Sequence, residues 1–456
     1  MEETERNLRE KIEQEAKNTL KKTMWEGYAN DILTGLQKNP GVQPDRPIWE
    51  LVQNARDVAY ENKKAKIVFI RKQDHFVFQH NGQPFTRTTL QSLILQTSSK
   101  VREDIIQVGQ YGTGFLTTHK FGLDFRLSGS LSLLEGLKFY NFSGRDFIIK
   151  RSAQDKVKLS DDLDATIAKT QQWGLDLNSL EDNPRRETIF EYQHNFNAER
   201  ENAKIAIKEA PKLVPYVLAL NKHIESISFI DEVEGPKEES FTFQNEEIYD
   251  NLENLRVYET TILHSQSGQK DKIISLFLLK SLRCLEEKTG ESKFTIILPL
   301  KKISEGLKVF NFDNSIPRLY LYLPLLGSKD WGCNFLFHSP SFTCDQDSRD
   351  SIMLRFNPQA EVHHDQINKD IIREASDALK KYLTYKYLNL TDARFLCPIN
   401  FVKGKSDNET NQYYQELQKE WVSFFECLNL VEYEDGKTIP VKSIRVLSNE
   451  LYLACE

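Results

Sequence analysis

Three polar residues at helical spacing stand in the segment WELVQNARD, residues 49–57. Glu50, Asn54 and Asp57 are at positions i, i+4 and i+7, which lie on one face of an α-helix. An amide oxygen is a hard ligand that suits Mg²⁺, whose other ligands are waters and phosphate oxygens. A glutamate one turn away can polarise a water for attack on a phosphorus. The segment therefore predicts metal-assisted phosphate chemistry, and its alternative reading is a solvated polar helix face.

Two glycine-containing segments would let the backbone approach a ligand closely. HNGQPF, residues 80–85, follows a strand-like run, and Pro84 stiffens its turn. GQYGTGF, residues 109–115, opens a helical segment whose unpaired N–H groups favour phosphate oxygens. It follows a polar loop, which argues against a Rossmann dinucleotide site, and the chain has no GxxxxGK[ST] sequence. Taken singly, each segment is a common glycine turn.

Local patterns predict the elements that must position these residues. Residues 1–39 are predicted to be helical, but their apolar residues recur every fourth position and drift around a 3.6-residue helix. We therefore expect a bend near Gly27, or two helices, and a stop at Asn39-Pro40-Gly41. The motif helix is predicted over 47–62, with Asp45 as cap and Pro47 in its first turn.

Further elements follow as far as residue 193. The predicted elements are strands at 66–71 and 75–79, a helix near 86–96, a polar loop at 97–108, a helix at 112–120, strands at 123–129, 136–142 and 145–150, a polar stretch at 151–184 and a strand at 187–193. This mixture predicts an α+β domain.

A second predicted unit begins near residue 197, and a third segment is mostly helical. The predicted elements are a helix at 199–222, strands at 226–231, 240–244, 272–280, 293–300, 319–325 and 333–338, a helix ending near 388 and a helix at 409–429. The sequence thus predicts four parts: an N-terminal helical segment at 1–40, a ligand-binding domain at 41–195, a middle domain at 196–355 and a mostly helical region at 356–456.

The ordered combination of segments resembles the Bergerat-fold ATPases, the GHKL superfamily of gyrase, the ninety-kilodalton heat-shock chaperones, histidine kinases and MutL. The chain has ExxxNAxxD, then a strand that ends in HNGxPF, then TSSK at 97–100, then GxxGxGF. The family's motifs read E/N-x-x-x-N-A-x-D, D-x-G-x-G and G-x-x-G-x-G. The resemblance covers residues 45–195 and implies an α/β sandwich, with a mostly antiparallel sheet covered on one face by helices.

The resemblance also implies ATP and Mg²⁺ as ligands and assigns roles to matching residues. Glu50 would be the general base, Asn54 would hold Mg²⁺, and Asp57 would support the pocket through water or a neighbouring arginine. Thr188 matches the strand threonine that closes the adenine pocket. The residues expected to cover or approach the phosphates are Ser99, Lys100, Gly109, Tyr111, Gly112, Thr113, Gly114 and Phe115, and those expected at the base are His80 and Gly82.

The chain departs from the family pattern at His80, which stands where the family has its adenine-reading aspartate. A neutral histidine can accept a hydrogen bond with one ring nitrogen, but its reach differs from that of a carboxylate. Base selectivity is therefore an open question from the sequence. HNG-type variants resemble large members of the family such as the ATPase region of sacsin, and a surface histidine at a strand end is the alternative.

The segment FLFHSPSFTCDQDSRDSI, residues 335–352, resembles the transducer region that follows such ATPase domains. In the chaperone and MutL branches a lysine or arginine of that region reaches the γ-phosphate. Arg349 and Lys329 are the candidates here, and a cation at that position would stabilise transition-state charge. A surface cation is the alternative for each.

Composition limits the classes of function. The net charge of −7 argues against a broad nucleic-acid surface. No apolar run approaches the roughly 20 residues of a membrane helix, and the charged N-terminus lacks the apolar core of a secretory signal. The six cysteines show neither a Cys-x-x-Cys pair nor zinc spacing. We expect a cytoplasmic protein with reduced thiols.

Two functions remain open at this point. The first is an ATP-driven machine in which a lid at 86–108 closes, the second unit docks and a homodimer forms through residues 1–40, with a protein client. The second is an ATP-sensing module that licenses a partner or an appended effector, as in bacterial defence systems. A nucleotide-binding scaffold without turnover is a weaker third possibility, since only His80 suggests it.

Overall fold

The structure, a computed structural model, divides the chain into two compact units. The described residues are 2–37, 43–97, 114–235, 237–268, 271–285, 292–304, 306–345, 350–356, 358–359, 362–386, 390–396, 408–429, 431–433 and 437–443. Unit 1 comprises Met1–Val214, Lys222–Thr242 and His264–Ser275, and unit 2 comprises Pro215–Asn221, Phe243–Leu263 and Leu276–Glu456. The predicted four-part division stays a prediction.

Unit 1 combines helices with a mostly antiparallel sheet. Its α-helices are α1 (Glu2–Gln37), α2 (Arg46–Asp57), α3 (Arg87–Leu95), α4 (Lys156–Gln171) and α5 (Asn197–Glu209), and a 3₁₀ helix spans Phe115–Phe121. Its strands are β1 (Ala65–Arg71), β2 (His75–His80), β3 (Phe125–Leu133), β4 (Lys138–Phe142), β5 (Ile148–Ile149), β6 (Leu180–Glu181), β7 (Thr188–Gln193) and β8 (Ile224–Asp231). The strand order is β8-β1-β2-β7-β3-β4-β6, and β5 pairs with β3.

The sheet is mixed because β1 and β8 pair in parallel, whereas the other pairs of this order are antiparallel. The α+β class with a large mixed sheet is therefore confirmed. The more specific Bergerat arrangement, with a transducer-like domain after it, stays a prediction. Aromatic side chains fill one side of the sheet: Phe69 and Phe78 stack at 5.4 Å, and Phe125 and Phe190 at 5.8 Å, between ring centroids.

The predicted division of the N-terminal segment into two helices is wrong, because α1 is continuous over Glu2–Gln37, whereas a bend within it stays a prediction. Gly27 has nothing within 4 Å of a Cβ built on it, so no neighbouring group forces a break there. Leu8 and Leu20 stay exposed, while Ile32 is buried. The apolar residues need not stay on one face of α1, because the described side chains in the first half of the helix are exposed.

Two other helical segments differ from the predictions. The stretch 151–184, predicted only as polar, contains α4, which Asp155 caps by accepting hydrogen bonds from the backbone N–H groups of Val157 and Lys158. Its buried Leu159 and Leu163 are one turn apart, which is the signal that the polar composition concealed. The helix predicted over 199–222 is interrupted at Ala210–Leu213 by a 3₁₀ turn that contains Pro211, since proline cannot continue an α-helix.

Three long strands follow β8. They are β9 (Lys237–Leu252), β10 (Leu255–Ser267) and β11 (Lys272–Leu285). Strands were predicted at 240–244 and 272–280, and β10 was missed. The turn between β9 and β10 contains Glu253 with φ of 53°, in the left-handed region. Glycine usually occupies this region, so a glutamate gives no sequence signal for the turn.

Unit 2 contains a second core. Its remaining elements are α6 (Val214–Leu220, from Pro215 onward), α7 (His364–Lys386), α8 (Asn408–Cys427), β12 (Ser292–Leu298), β13 (Leu300–Ile303), β14 (Gly306–Val309), β15 (Leu319–Leu321), β16 (Leu323–Pro324), β17 (Leu336–His338), β18 (Leu390–Thr391), β19 (Val431–Tyr433) and β20 (Lys437–Ile439). The predicted strand 319–325 is divided at Tyr322, whose φ is 60°. Apolar residues of α7 and α8, including Leu379 and Trp421, pack with those of β12 and β17.

Candidate functional site

Helix α2 carries the three polar residues that were predicted to share a face. The predicted helix is confirmed, although it ends at Asp57 rather than near residue 62. The backbone carbonyl of Val58 accepts a hydrogen bond from the N–H of Gln83 at 2.7 Å, so the chain beyond α2 is held by the 81–84 segment instead of by a further helical turn. The apolar side of α2, including Leu51 and Ala55, is buried.

Glu50 lies against the end of the glycine-rich segment. A Cβ built on Gly114 would be 2.2 Å from Glu50 Oε2 and 2.8 Å from its carboxyl carbon. Real Cβ atoms essentially never approach other atoms so closely, so only glycine fits here without a shift. Arg46, one turn earlier on α2, places Nη2 3.3 Å from Glu50 Oε1. The carboxylate thus lies close to both an arginine side chain and a glycine backbone.

Asn54 stands one turn beyond Glu50 and is half-buried. Its side-chain amide makes no hydrogen bond to any described residue, which leaves the amide oxygen open to a ligand. A hard oxygen donor next to a carboxylate fits Mg²⁺, which takes one or two protein ligands and completes its shell with water and phosphate. No cluster of three or more histidine, cysteine, aspartate or glutamate side chains suited to a metal occurs within the described ranges.

Asp57 occupies the last turn of α2, where its side chain is 6% exposed. The Nη1 atom of Arg56 lies 3.5 Å from Asp57 Oδ1, and the Arg56 side chain is itself 5% exposed. Asp57 thus has a neighbouring arginine, and its implied role in supporting the pocket, through water or an arginine, stays a prediction. The two side chains form a buried ion pair at the C-terminal end of the helix.

His80 is the last residue of β2 and is 5% exposed. Its Nδ1 accepts a hydrogen bond from the backbone N–H of Gly82 at 3.1 Å. Burial lowers the pKa of His80 to about 4, so the ring is neutral at pH 7. With Nδ1 as acceptor, the proton of the neutral ring is on Nε2. The acceptor nitrogen considered in the sequence analysis is therefore already used, and Nε2 is a donor.

Gly82 is required by the same turn. A Cβ on Gly82 would be 2.6 Å from Val58 Cγ2 and 2.9 Å from the Val58 carbonyl oxygen. The side chain of Gln83 donates to the carbonyl of Ala59 at 3.1 Å, a second tie between this turn and the end of α2. The turn that carries the glycine is therefore packed on the C-terminal end of the motif helix.

Thr188 begins β7 and lies directly opposite His80 in the antiparallel pair of β2 and β7. Directly opposed residues of an antiparallel pair project from the same side of the sheet. The Thr188 hydroxyl makes no hydrogen bond to any described residue, and the side chain is buried. Two polar side chains thus stand next to each other at the end of this strand pair.

Phe115 follows Gly114 and begins the 3₁₀ helix, so the helix predicted at 112–120 is of the 3₁₀ type in its described part. Its ring lies 5.9 Å from that of Phe125 and 6.0 Å from that of Phe190, measured between centroids. It therefore anchors the end of the glycine segment in the aromatic cluster of the sheet.

Several predicted site residues lie outside the described residues: Ser99, Lys100, Gly109, Tyr111, Gly112, Thr113 and Arg349. Lys329 belongs to unit 2, where it begins the segment after the 3₁₀ helix Leu326–Ser328. The roles assigned to all of these residues stay predictions.

Sequence reasoning missed Arg46 as a neighbour of Glu50. The signal was present, because Arg46 and Glu50 are four residues apart on a helix, the spacing at which side chains meet. The contact between Glu50 and Gly114 had no such local signal.

Comparison with known proteins gives little further information. No protein-family model matches the chain, and no curated protein sequence matches it. Among solved structures, the chain is similar to the 43K ATPase domain of Thermus thermophilus gyrase B in complex with an aminocoumarin, with a TM-score of 0.24 and 10% identity. The match covers 48% of this chain and 56% of that domain, so it spans little more than half of the domain's length. A similarity at this level leaves the family resemblance of residues 45–195 a prediction. No helix in the described part of the chain has the length and apolarity to cross a membrane.

Proposed function

We propose that unit 1 binds a nucleoside triphosphate with Mg²⁺ and hydrolyses it slowly, with Glu50 as general base. ATP is the ligand that the sequence resemblance implies. The observation that carries the proposal is the contact of the Glu50 carboxylate with Gly114, at the end of the glycine segment, with Asn54 half-buried one turn away. A base, a metal ligand and a phosphate-binding backbone are the parts that phosphoryl transfer to water requires.

Each residue has one task in this proposal. Glu50 accepts a proton from the attacking water, and Arg46 orients the carboxylate through the contact at 3.3 Å. Asn54 would hold Mg²⁺ through its amide oxygen, and the ion would supply charge neutralisation at the phosphates. The glycine segment would let backbone N–H groups approach the phosphate oxygens, a role that its sequence predicts.

The decisive experiment compares turnover and binding in the parent chain and in Glu50→Gln. Glutamine keeps the shape of the side chain but cannot accept the proton, so we expect phosphate release to fall about 100-fold or more while nucleotide binding persists. Glu61→Gln is the matched control, since Glu61 is exposed just beyond α2. Measurable turnover that is equal in the parent and in Glu50→Gln would refute the base assignment. Binding without turnover in all three would favour a sensor or scaffold instead.

We further propose that a homodimer forms through α1 when nucleotide is bound. Four apolar side chains at steps of four or eight residues, Leu8, Ile12, Leu20 and Met24, are between 53% and 64% exposed on this helix. Sedimentation with and without a non-hydrolysable triphosphate tests this. We expect a dimer in the parent chain and a monomer in Leu8→Asp/Ile12→Asp, and a nucleotide-bound parent that stays monomeric would overturn the proposal.

A further inference from the structure

The hydrogen-bonding state of His80 determines which ligand groups this end of the proposed site can recognise. Nδ1 is occupied by the N–H of Gly82 at 3.1 Å, and Nε2 makes no hydrogen bond to any described residue. Because a neutral imidazole carries one proton, this arrangement fixes the tautomer with hydrogen on Nε2. His80 therefore offers a ligand one donor and no acceptor.

The position of His80 relative to the two ends of α2 indicates which part of a nucleotide it would meet. Glu50 and Asp57 are seven residues apart, which is about 10 Å along the helix axis at a rise of about 1.5 Å per residue. Glu50 and Gly114 mark one end of this distance, and the 80–83 turn is fixed to the other by the hydrogen bond from Gln83 to Val58. A nucleotide with its phosphates at Glu50, as in the proposed function, extends its base toward His80.

Thr188 supplies the second polar group at the base end. It stands directly opposite His80 on β7, and its hydroxyl has no hydrogen-bond partner among the described residues. A hydroxyl can donate or accept, so it adapts to the base that His80 selects. The imidazole is the fixed element of the pair.

We propose that the site formed by His80 and Thr188 prefers a 6-oxopurine nucleotide, with guanine or hypoxanthine as base, to an adenine nucleotide. The 6-oxo group is an acceptor and matches the Nε2–H donor of His80, whereas the 6-amino group of adenine is a donor and opposes it. The N–H at position 1 of a 6-oxopurine can then donate to the Thr188 hydroxyl. This inference rests on the proposed function, and it revises ATP as the preferred ligand while keeping the triphosphate site.

The test measures the dissociation constants of ITP, GTP and ATP in the presence of Mg²⁺, by displacement of a ribose-labelled fluorescent nucleotide. ITP and ATP are the informative pair because they differ only in the 6-substituent and in the proton at position 1. With ATP, the Nε2–H of His80 and the 6-amino group of adenine are two donors that face each other, and both stay without a hydrogen bond. We therefore expect ITP to bind at least about tenfold more tightly than ATP. GTP shows whether a 2-amino group is also accepted.

Two nearly isosteric variants assign the preference to His80. In His80→Asn an amide can accept from Gly82 and still donate to the base, so the preference for ITP should remain. In His80→Asp both oxygens are acceptors, so the preference should reverse toward ATP. His75→Asn, at the other end of β2, is the matched control, and melting temperatures check that each variant folds.

The outcomes separate this inference from the proposed function. A parent protein that binds ATP as tightly as ITP, or more tightly, overturns the inference and leaves the triphosphate site standing. A parent protein that binds none of the three overturns both. A preference for ITP that persists in a folded His80→Asp shows that another group selects the base and overturns the assignment.

Discussion

Replacement of Gly114 by alanine tests the central contact of the site. The added Cβ would lie 2.2 Å from Glu50 Oε2, and contacts below 3.0 Å essentially do not occur, so the carboxylate must retreat by at least about 0.8 Å. That retreat also changes the contact with Arg46, whose Nη2 lies 3.3 Å from the other carboxylate oxygen. Misplacement of a catalytic group by about 1 Å can lower a rate about 100-fold.

We therefore expect Gly114→Ala to lower the turnover number between about 10-fold and 100-fold, equivalent to roughly 1.4–2.7 kcal/mol of transition-state stabilisation. Phosphate release at saturating nucleotide measures turnover, and fluorescent-nucleotide binding reports the affinity separately. Gly27→Ala is the matched control, because a Cβ at Gly27 meets nothing within 4 Å.

A double-mutant cycle makes the test specific. Glu50→Asp withdraws the carboxylate by one methylene group, which provides the room that the new methyl group requires. Gly114→Ala should then cost little further activity in the Glu50→Asp background, since interacting neighbours are non-additive. The reasoning is refuted if Gly114→Ala turns over nucleotide like Gly27→Ala, or if the effects of Gly114→Ala and Glu50→Asp simply add.

Three further predictions concern the metal, pH and one helix cap. Asn54→Ala should weaken the Mg²⁺ dependence of nucleotide binding, measured as the shift in apparent affinity between Mg²⁺ and EDTA; an unchanged shift excludes Asn54 as the ligand. Burial lowers the pKa of His80 to about 4 and that of His119 to about 3 from the ordinary 6.5. The unfolded chain takes up these protons near pH 6.5, before the folded chain does, so acidification favours unfolding. The two neutral, buried rings therefore contribute stability above pH 6.5 that should be lost as the pH falls toward 4 and 3, with about 3 kcal/mol from His80. Urea unfolding across this pH range measures how the unfolding free energy changes with pH, and His80→Asn should make that change smaller. An unfolding free energy that rises on acidification would contradict the prediction. Asp155→Ala should lower the unfolding free energy by about 1 kcal/mol through loss of the α4 cap, measured by urea titration with Asp161→Ala as control.

The local parts of the site were predictable from the sequence. Helix periodicity depends only on neighbouring residues, so the spacing of Glu50, Asn54 and Asp57 already placed them on one face of α2. Strand runs such as 66–71 and 75–79 were predictable for the same reason, since alternation with short turns is a local pattern. Where local signals conflicted or were diluted, as in the polar stretch that contains α4, the prediction failed.

The tertiary structure decided how these parts meet. Gly114 is 64 residues from Glu50 in the chain, so no local pattern could place its backbone against that carboxylate. The tautomer of His80 follows from a turn that is held in place by the end of α2, through the hydrogen bond from Gln83 to Val58. Sequence spacing determines which residues share a face, because backbone geometry repeats along an element. Long-range packing determines which groups contact that face and which atoms remain to bind a ligand.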